Sequence, residues 1–401
     1  MTIKESRNSR RCAICDENQN RVLFQPRFSG LALGSLMTGY DVVVCEGCGF
    51  CFADNVPDQT AFDIYYREMS KYEHQDRFGQ PSEFEVRQFP ELVRFIQKYI
   101  PDEQARILEV GCANAGLLNS LQQSGYKNLL GIDPSPICAQ NAEQLYRIRV
   151  LTSALSDIKA EPGSFDFIIM VAVLEHIQDL NGALQKIHDL LAPLGRLFIE
   201  VPDATKFISS PDAPFQEFSI EHINFFSQKS LENVMGIHGF TDVFSTQVSY
   251  DQTDTYTGHT IRMVFQKHNV GDKFDLILDN DSETGLKNYI DASRKVENRI
   301  HETINELIEG QNPLIVWGVG THTQRLMATS QLATANIVAF VDANPNYQGK
   351  RLNNVPIISP KSLIGMGEPI LVSSRIFQSE IVHQIRFELK LNNSIFTLYE
   401  D

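Results

Sequence analysis

Apolar positions follow two periods along this chain, and the switches between them outline its architecture. Short apolar runs at 106–110, 128–133, 148–151, 165–171 and 195–201 are bounded by polar or turn-forming residues and predict buried strands. Between them the apolar spacing relaxes to the helical pattern. Strand alternating with helix is the signature of a parallel sheet covered on both faces. Two later β-rich runs, 241–250 and 260–266, flank a polar turn and predict a hairpin at the edge of that sheet. Upstream, 41–44 reads as a strand, 62–73 as a polar helix and 84–99 as an amphipathic helix. Downstream, an amphipathic helix over 283–309 leads to a second unit: a strand ending at Trp317, a helix over 323–329 and a strand ending at Asp342.

This division predicts five parts. Residues 1–60 hold a cysteine module, 61–100 a helical lid or linker, and 101–268 the central domain. Residues 269–310 form a helical connector and 311–401 a Rossmann-like domain for substrate or structure. At 401 residues there is room for each domain to bury its own core. Net charge is −15 and the isoelectric point about 5.1. That balance argues against nucleic acid or an anionic membrane as the main partner and asks any anionic substrate to find a local basic pocket. No apolar run approaches the ~20 residues of a membrane span, and the basic N-terminus has no apolar segment behind it. The expected location is cytoplasmic. Whether the chain is a monomer or a homodimer does not follow from these features.

Chemistry enters where the first strand ends. Arg106-Ile-Leu-Glu-Val-Gly-Cys-Ala-Asn-Ala-Gly116 runs from strand through an acid into a glycine turn and a helix. Farther on, the strand 128–133 closes on Asp133, the position from which α/β nucleotide folds hold a ribose diol. A pyrophosphate wants free amides at a helix N-terminus, but this turn places an acid beside its first glycine, which suits a cationic or neutral ligand. The loop resembles that of class I methyltransferases, which implies S-adenosyl-L-methionine as cofactor. The expected contacts are Glu109, Gly111, Asn114, Gly116, Asp133, Pro134, Ala154, Leu155, Met170 and Val171.

Four of the seven cysteines form two C-x-x-C pairs, Cys12/Cys15 and Cys45/Cys48, separated by 29 residues. Four thiolates brought together in this way suit a structural Zn²⁺; a pair of buried or redox C-x-x-C motifs is the alternative. Cys51 is a spare thiol with the wrong spacing, and Cys112 and Cys138 read as packing residues. In the C-terminal unit Gly318 and Gly320 follow a strand and Asp342 ends the next one, but Thr323 stands where a third glycine would complete a dinucleotide motif. That loop offers a nicotinamide-cofactor site, a substrate-binding surface or a structural turn.

Taken in order, the C-x-x-C module, the methyltransferase core and the Rossmann-like half resemble the zinc-containing sugar C-methyltransferases, which act on nucleotide-linked 4-keto-deoxysugars. The resemblance implies methyl transfer to a small-molecule nucleotide sugar in deoxysugar or polysaccharide biosynthesis. In that family a Tyr-x-Glu-His sequence follows the fifth strand, with the histidine as base. Here Glu221 and His222 match, while Ser219 occupies the tyrosine position. His176 resembles a second active-site histidine, and Tyr66 and Tyr72 lie in the segment that resembles the family's lid. Carbon methylation beside a ketone needs a base of near-neutral pKa, which a histidine supplies. Packing roles for these histidines and tyrosines, sugar O-methylation, and a non-catalytic sugar-nucleotide-binding or scaffold protein are the other readings.

Overall fold

A computed structural model describes residues 9–30, 36–68, 79–209, 213–253, 256–268 and 274–399. Its central element is a seven-stranded sheet. The strands are β4 (Arg106–Val110), β5 (Asn128–Asp133), β6 (Val150–Thr152), β7 (Phe165–Val171), β8 (Leu191–Pro202), β10 (Phe240–Thr253) and β11 (Tyr256–Lys267). They lie in the order β10-β11-β8-β7-β4-β5-β6, parallel except for β11, which runs antiparallel to both neighbours. This is the class I methyltransferase arrangement, with helices α3 (Gly116–Gln123), α4 (Pro136–Tyr146), α5 (Leu180–Leu190) and α6 (Gln228–Ile237) in the connections.

Side-chain alternation sorts the strands onto two cores. Leu108, Ile168, Met170, Leu197 and Ile199 face one cluster; Ile107, Phe167, Ile169 and Phe198 face the other. Helix α2 (Glu83–Ile96) opens with a capping box made by Ser82 and Glu85 and buries Leu92, Val93 and Ile96 in the second cluster. It therefore packs as part of the central domain, although the sequence pattern grouped it with the linker.

A four-stranded antiparallel sheet carries the N-terminal cysteines. It comprises β1 (Asn20–Phe24), β2 (Asp41–Cys45), β3 (Cys51–Asp54) and, from far along the chain, β9 (Asn224–Phe225). The β9 strand begins two residues after His222, so this small sheet holds one end of the histidine segment. Helix α1 (Gln59–Glu68) buries Ala61, Phe62 and Tyr65 in the same cluster as Val42, Val44 and Ala53 of that sheet. Cys12, Cys45, Cys48, Phe50 and Phe52 share a core with the central strands, so the module is continuous with that domain.

Helix α7 (Asp281–Ile308), about 42 Å long at 1.5 Å per residue, spans two cores. Leu286, Tyr289 and Ile290 join the N-terminal cluster, and Ile300 and Ile304 the C-terminal one. The C-terminal sheet contains β12 (Leu314–Trp317), β13 (Ile337–Val341), β14 (Arg351–Leu352), β15 (Val355–Ile358), β16 (Ile370–Val372) and β17 (Ile395–Thr397), in the order β14-β15-β13-β12-β16-β17. Helices α8 (Thr321–Thr329) and α9 (Gln378–His383) cover it. No helix among the described residues is long and apolar enough to cross a membrane.

Candidate active site

The glycine turn after β4 is held by the strand beside it. The amides of Gly111 and Cys112 donate to the Ile132 carbonyl at 2.8 and 3.1 Å. Gly111 has φ +67°, and a Cβ there would come 2.6 Å from the Val173 side chain. Ala113 (φ +46°) and Ala115 (φ +62°) are also left-handed, a conformation costing roughly 1–2 kcal/mol for a residue with a Cβ. Gly116 lines the cleft beside the loop and also makes room for a neighbour. A Cβ at this position would lie 2.4 Å from the Phe89 ring, so the glycine admits helix α2.

Asp133 fastens the loop. Its Oδ2 accepts from the Ala113 amide at 3.0 Å and its Oδ1 from the Ser135 amide at 2.9 Å. Burial raises its pKa, while those amides and the Cys138 thiol pull it back. Cys138, read from the sequence as a packing residue, thus touches the carboxylate as well. Asn114 is buried and accepts from Asn141 at 3.1 Å. Pro134 is partly buried beside Asp133, and the Ser153 amide donates to the Asp133 carbonyl at 3.1 Å, bringing Ala154 and Leu155 to the same edge. Val171 ends β7 partly buried, whereas the Met170 side chain is fully buried in the core. The loop borders an open cleft whose lining includes Glu85, Phe89, Ala113, Asn114, Gly116 and Tyr146.

Glu109 decides what suits this loop. It is buried, its Oε2 has no hydrogen-bond partner, and burial together with the neighbouring Asp133 raises its pKa well above the usual carboxyl range. A ligand with a cationic end satisfies that acid; a pyrophosphate does not. The residues present therefore fit S-adenosylmethionine, with Asp133 able to take ribose hydroxyls on its remaining lone pairs.

A second group of side chains stands at the same carboxyl edge. His176 follows β7 in a tight helical turn at Leu174–His176, and His222 lies just before β9. Their rings meet edge to face with centroids 5.0 Å apart. Nδ1 of His176 lies 2.9 Å from the Tyr66 hydroxyl and 3.1 Å from the Glu221 carbonyl. A carbonyl only accepts, so the second contact puts the proton on Nδ1. The Glu221 carboxylate takes the Tyr65 hydroxyl at 2.8 Å, so its side chain orders helix α1. Ser219 accepts from the amides of Glu221 and His222 at 3.2 and 3.1 Å, which sets the turn that presents His222. Glu217 stands 3.8 Å from His222 Nδ1, and buried Glu175 3.7 Å from His176 Nε2.

Burial, Glu221 and Glu175 push the Tyr66 hydroxyl well above its ordinary pKa, and burial with Glu221 does the same for Tyr65. Tyr66 is thus brought to the histidine pair; Tyr72 lies outside the described residues. Sequence reasoning missed Tyr65, Glu175 and Glu217, although Tyr65 adjoins Tyr66, Glu175 adjoins His176, and Glu217 lies five residues before His222. A further tyrosine, Tyr347, comes from the C-terminal domain. Burial, then the charges of Asp342 and Glu221, raise the Tyr347 hydroxyl to about 12. Asp342 repeats the Asp133 arrangement, accepting from the Val319 amide at 3.0 Å and the Asn344 amide at 2.8 Å.

The Cys12, Cys15, Cys45 and Cys48 sulfurs all lie within 4.8 Å of one another. Two contacts are 3.5 Å (Cys12–Cys48) and 3.4 Å (Cys15–Cys45). Four sulfurs about 2.3 Å from a tetrahedral zinc would stand close to this spacing. Hydrogen bonds from Cys12 and Cys48 lower the Cys45 thiol, and a thiolate is what a metal requires. Cys51 is buried on β3 and outside the group.

Residues 83–244 match the family model described as a methyltransferase domain, and residues 310–394 one described as C2185-like, N-terminal. The chain is 31% identical over 122 residues to a ubiquinone biosynthesis O-methyltransferase of Xylella fastidiosa (strain 9a5c), a stretch covering 29% of this chain and 49% of the relative. It is also 31% identical over 115 residues to the enzyme of that name from Methylococcus capsulatus, covering 27% and 48%. The chain thus spans about half the length of the curated relatives it matches. Among solved structures, a Burkholderia thailandensis 1,6-didemethyltoxoflavin-N1-methyltransferase aligns with 56% of this chain and 98% of its own, at 19% identity and a TM-score of 0.42. The central region is a class I S-adenosylmethionine-dependent methyltransferase domain. It is joined to a cysteine cluster and a second α/β domain.

Proposed function

We propose that the protein transfers a methyl group from S-adenosylmethionine to a nucleotide-linked keto-deoxysugar or related glycan precursor, at the carbon beside the ketone, with Zn²⁺ as a structural ion on Cys12, Cys15, Cys45 and Cys48. The observation that carries this is the His176–His222 pair, set by Tyr66, Glu221 and Ser219 on the edge that bears the Gly111 loop. When bound, the cofactor supplies an electrophilic methyl group, and its sulfur takes the electron pair of the broken carbon–sulfur bond. His222 accepts the acidic proton of the acceptor. The enolate carbon so formed takes the methyl, and the imidazolium later returns its proton to solvent. Tyr65 and Tyr66 wall the site from α1. Tyr347 closes it from the C-terminal domain, whose Asp342 loop takes the nucleotide end of the acceptor.

O-methylation of a sugar hydroxyl is the second reading, favoured by the relatives named O-methyltransferases. Incubating nucleotide sugars with the enzyme and labelled cofactor, then locating the new methyl by mass and NMR, separates carbon from oxygen transfer. No transfer to any nucleotide sugar refutes both.

A further inference from the structure

Glu175, His176 and His222 each offer a ligand atom, and the three lie within 4.8 Å of one another. We infer that they form a binding site for a divalent transition-metal cation, separate from the cysteine cluster, and that the cation and the proton-accepting role of His222 exclude each other.

The donors come from two connections fixed to each other. The Ile223 amide donates to the Glu175 carbonyl at 2.8 Å, and the Asn224 side chain donates to the Leu174 and Ile177 carbonyls at 2.9 and 2.7 Å. The His222 strand is therefore bolted to the turn that carries Glu175 and His176. The proton on His176 Nδ1, directed at the Glu221 carbonyl 3.1 Å away, leaves the Nε2 lone pair toward Glu175, 3.7 Å off. An imidazole oriented through its far N–H by a carbonyl is the usual support of a metal-bound histidine.

Donors around a first-row cation with bonds near 2.0–2.2 Å stand roughly 3–3.5 Å apart, so small side-chain movements close the group. Charge favours it as well. Glu175 is buried, Glu217 stands 3.8 Å from His222, and Glu221 adjoins the group, while Arg262 is already engaged by Glu200. Two imidazoles and one carboxylate select Zn²⁺, Co²⁺, Ni²⁺ or Fe²⁺ over Mg²⁺ or Ca²⁺. Three protein ligands leave positions open to water or to an acceptor oxygen. A ligated His222 has spent its lone pair, so the cation silences it as a base. That second clause rests on the proposed reaction; the site itself does not.

The test is a titration of the zinc-loaded full chain with Co²⁺. One further equivalent should bind and give visible d–d bands without the thiolate-to-cobalt charge transfer of a cysteine site. His222→Gln should abolish it, as should Glu175→Gln, while each variant still binds S-adenosylmethionine. His222 is partly exposed, so its variant keeps the test alive if the Glu175 change unfolds the chain. No extra equivalent, or one that persists in His222→Gln, overturns the site. Added Co²⁺ should slow methyl transfer in proportion to occupancy; transfer that requires the cation overturns the exclusion.

Discussion

The Glu221 backbone carbonyl and His176 Nδ1 lie 3.1 Å apart, so the residue before the candidate base also fixes the proton of the second histidine. The same residue's carboxylate accepts from Tyr65 at 2.8 Å. One short segment after β8 therefore sets both histidines and the helix that covers them.

Asp133→Ala should weaken S-adenosylmethionine binding by roughly 10- to 100-fold for each charge-assisted hydrogen bond lost, at about 1.5–3 kcal/mol apiece. It should also lower the melting temperature, because the Ala113 and Ser135 amides lose their acceptor. Calorimetry showing wild-type affinity, or a preference of the wild type for NAD, contradicts the assignment.

Glu109→Gln should separate stability from binding. The Glu109 carboxyl is raised well above its ordinary range by burial and Asp133. Between the unfolded pKa and that raised value the native state holds more protons, so this group makes stability fall as pH rises through the window. The amide variant removes that slope. The cofactor-free variant should melt higher than wild type at neutral pH yet bind S-adenosylmethionine more weakly. A variant that melts lower and binds normally rules out the role given to this acid.

Cys45→Ser should lose stoichiometric zinc and lower the melting temperature of the whole N-terminal and central unit in one transition. From the sequence the module could be expected to fail first, but Cys12, Cys45 and Cys48 share a core with Ile168, Met170 and Leu197. Structural zinc supplies folding energy directly. Elemental analysis and calorimetry decide it; full metal retention in a Cys45/Cys48 double variant contradicts the site.

Much of this was legible in the sequence because it is local. The strands at 106–110, 128–133 and 165–171 were marked by apolar runs with turn residues, and the Gly111 loop and the C-x-x-C pairs by fixed spacing. Contacts across the fold were not legible. Tyr65 meets Glu221 across 156 residues, β9 joins a sheet formed by the first 54 residues, and no local pattern announces either. That Gly116 also admits Phe89 was not legible, since sequence spacing does not say which neighbour needs the space. Ser219, a departure from the Tyr-x-Glu-His pattern, serves as the acceptor that shapes the turn.

Tyr347→Phe should raise KM for a nucleotide-linked acceptor while S-adenosylmethionine affinity stays at the wild-type value, since its hydroxyl, on the C-terminal domain, feels the charge of Glu221. Loss of a net hydrogen bond of about 0.5–1.5 kcal/mol sets an effect of roughly 2- to 10-fold. An unchanged KM removes Tyr347 from the acceptor wall.

The role proposed for His222 is to take a proton from a carbon beside the acceptor's ketone. With a non-transferring cofactor analogue bound, wild type should exchange that proton with deuterated solvent, followed by NMR. His222→Ala should lose the exchange and about 10²–10⁴-fold in turnover while keeping its affinity for S-adenosylmethionine. Exchange at the wild-type rate in His222→Ala, or none in the wild type with an acceptor that is methylated, contradicts the account.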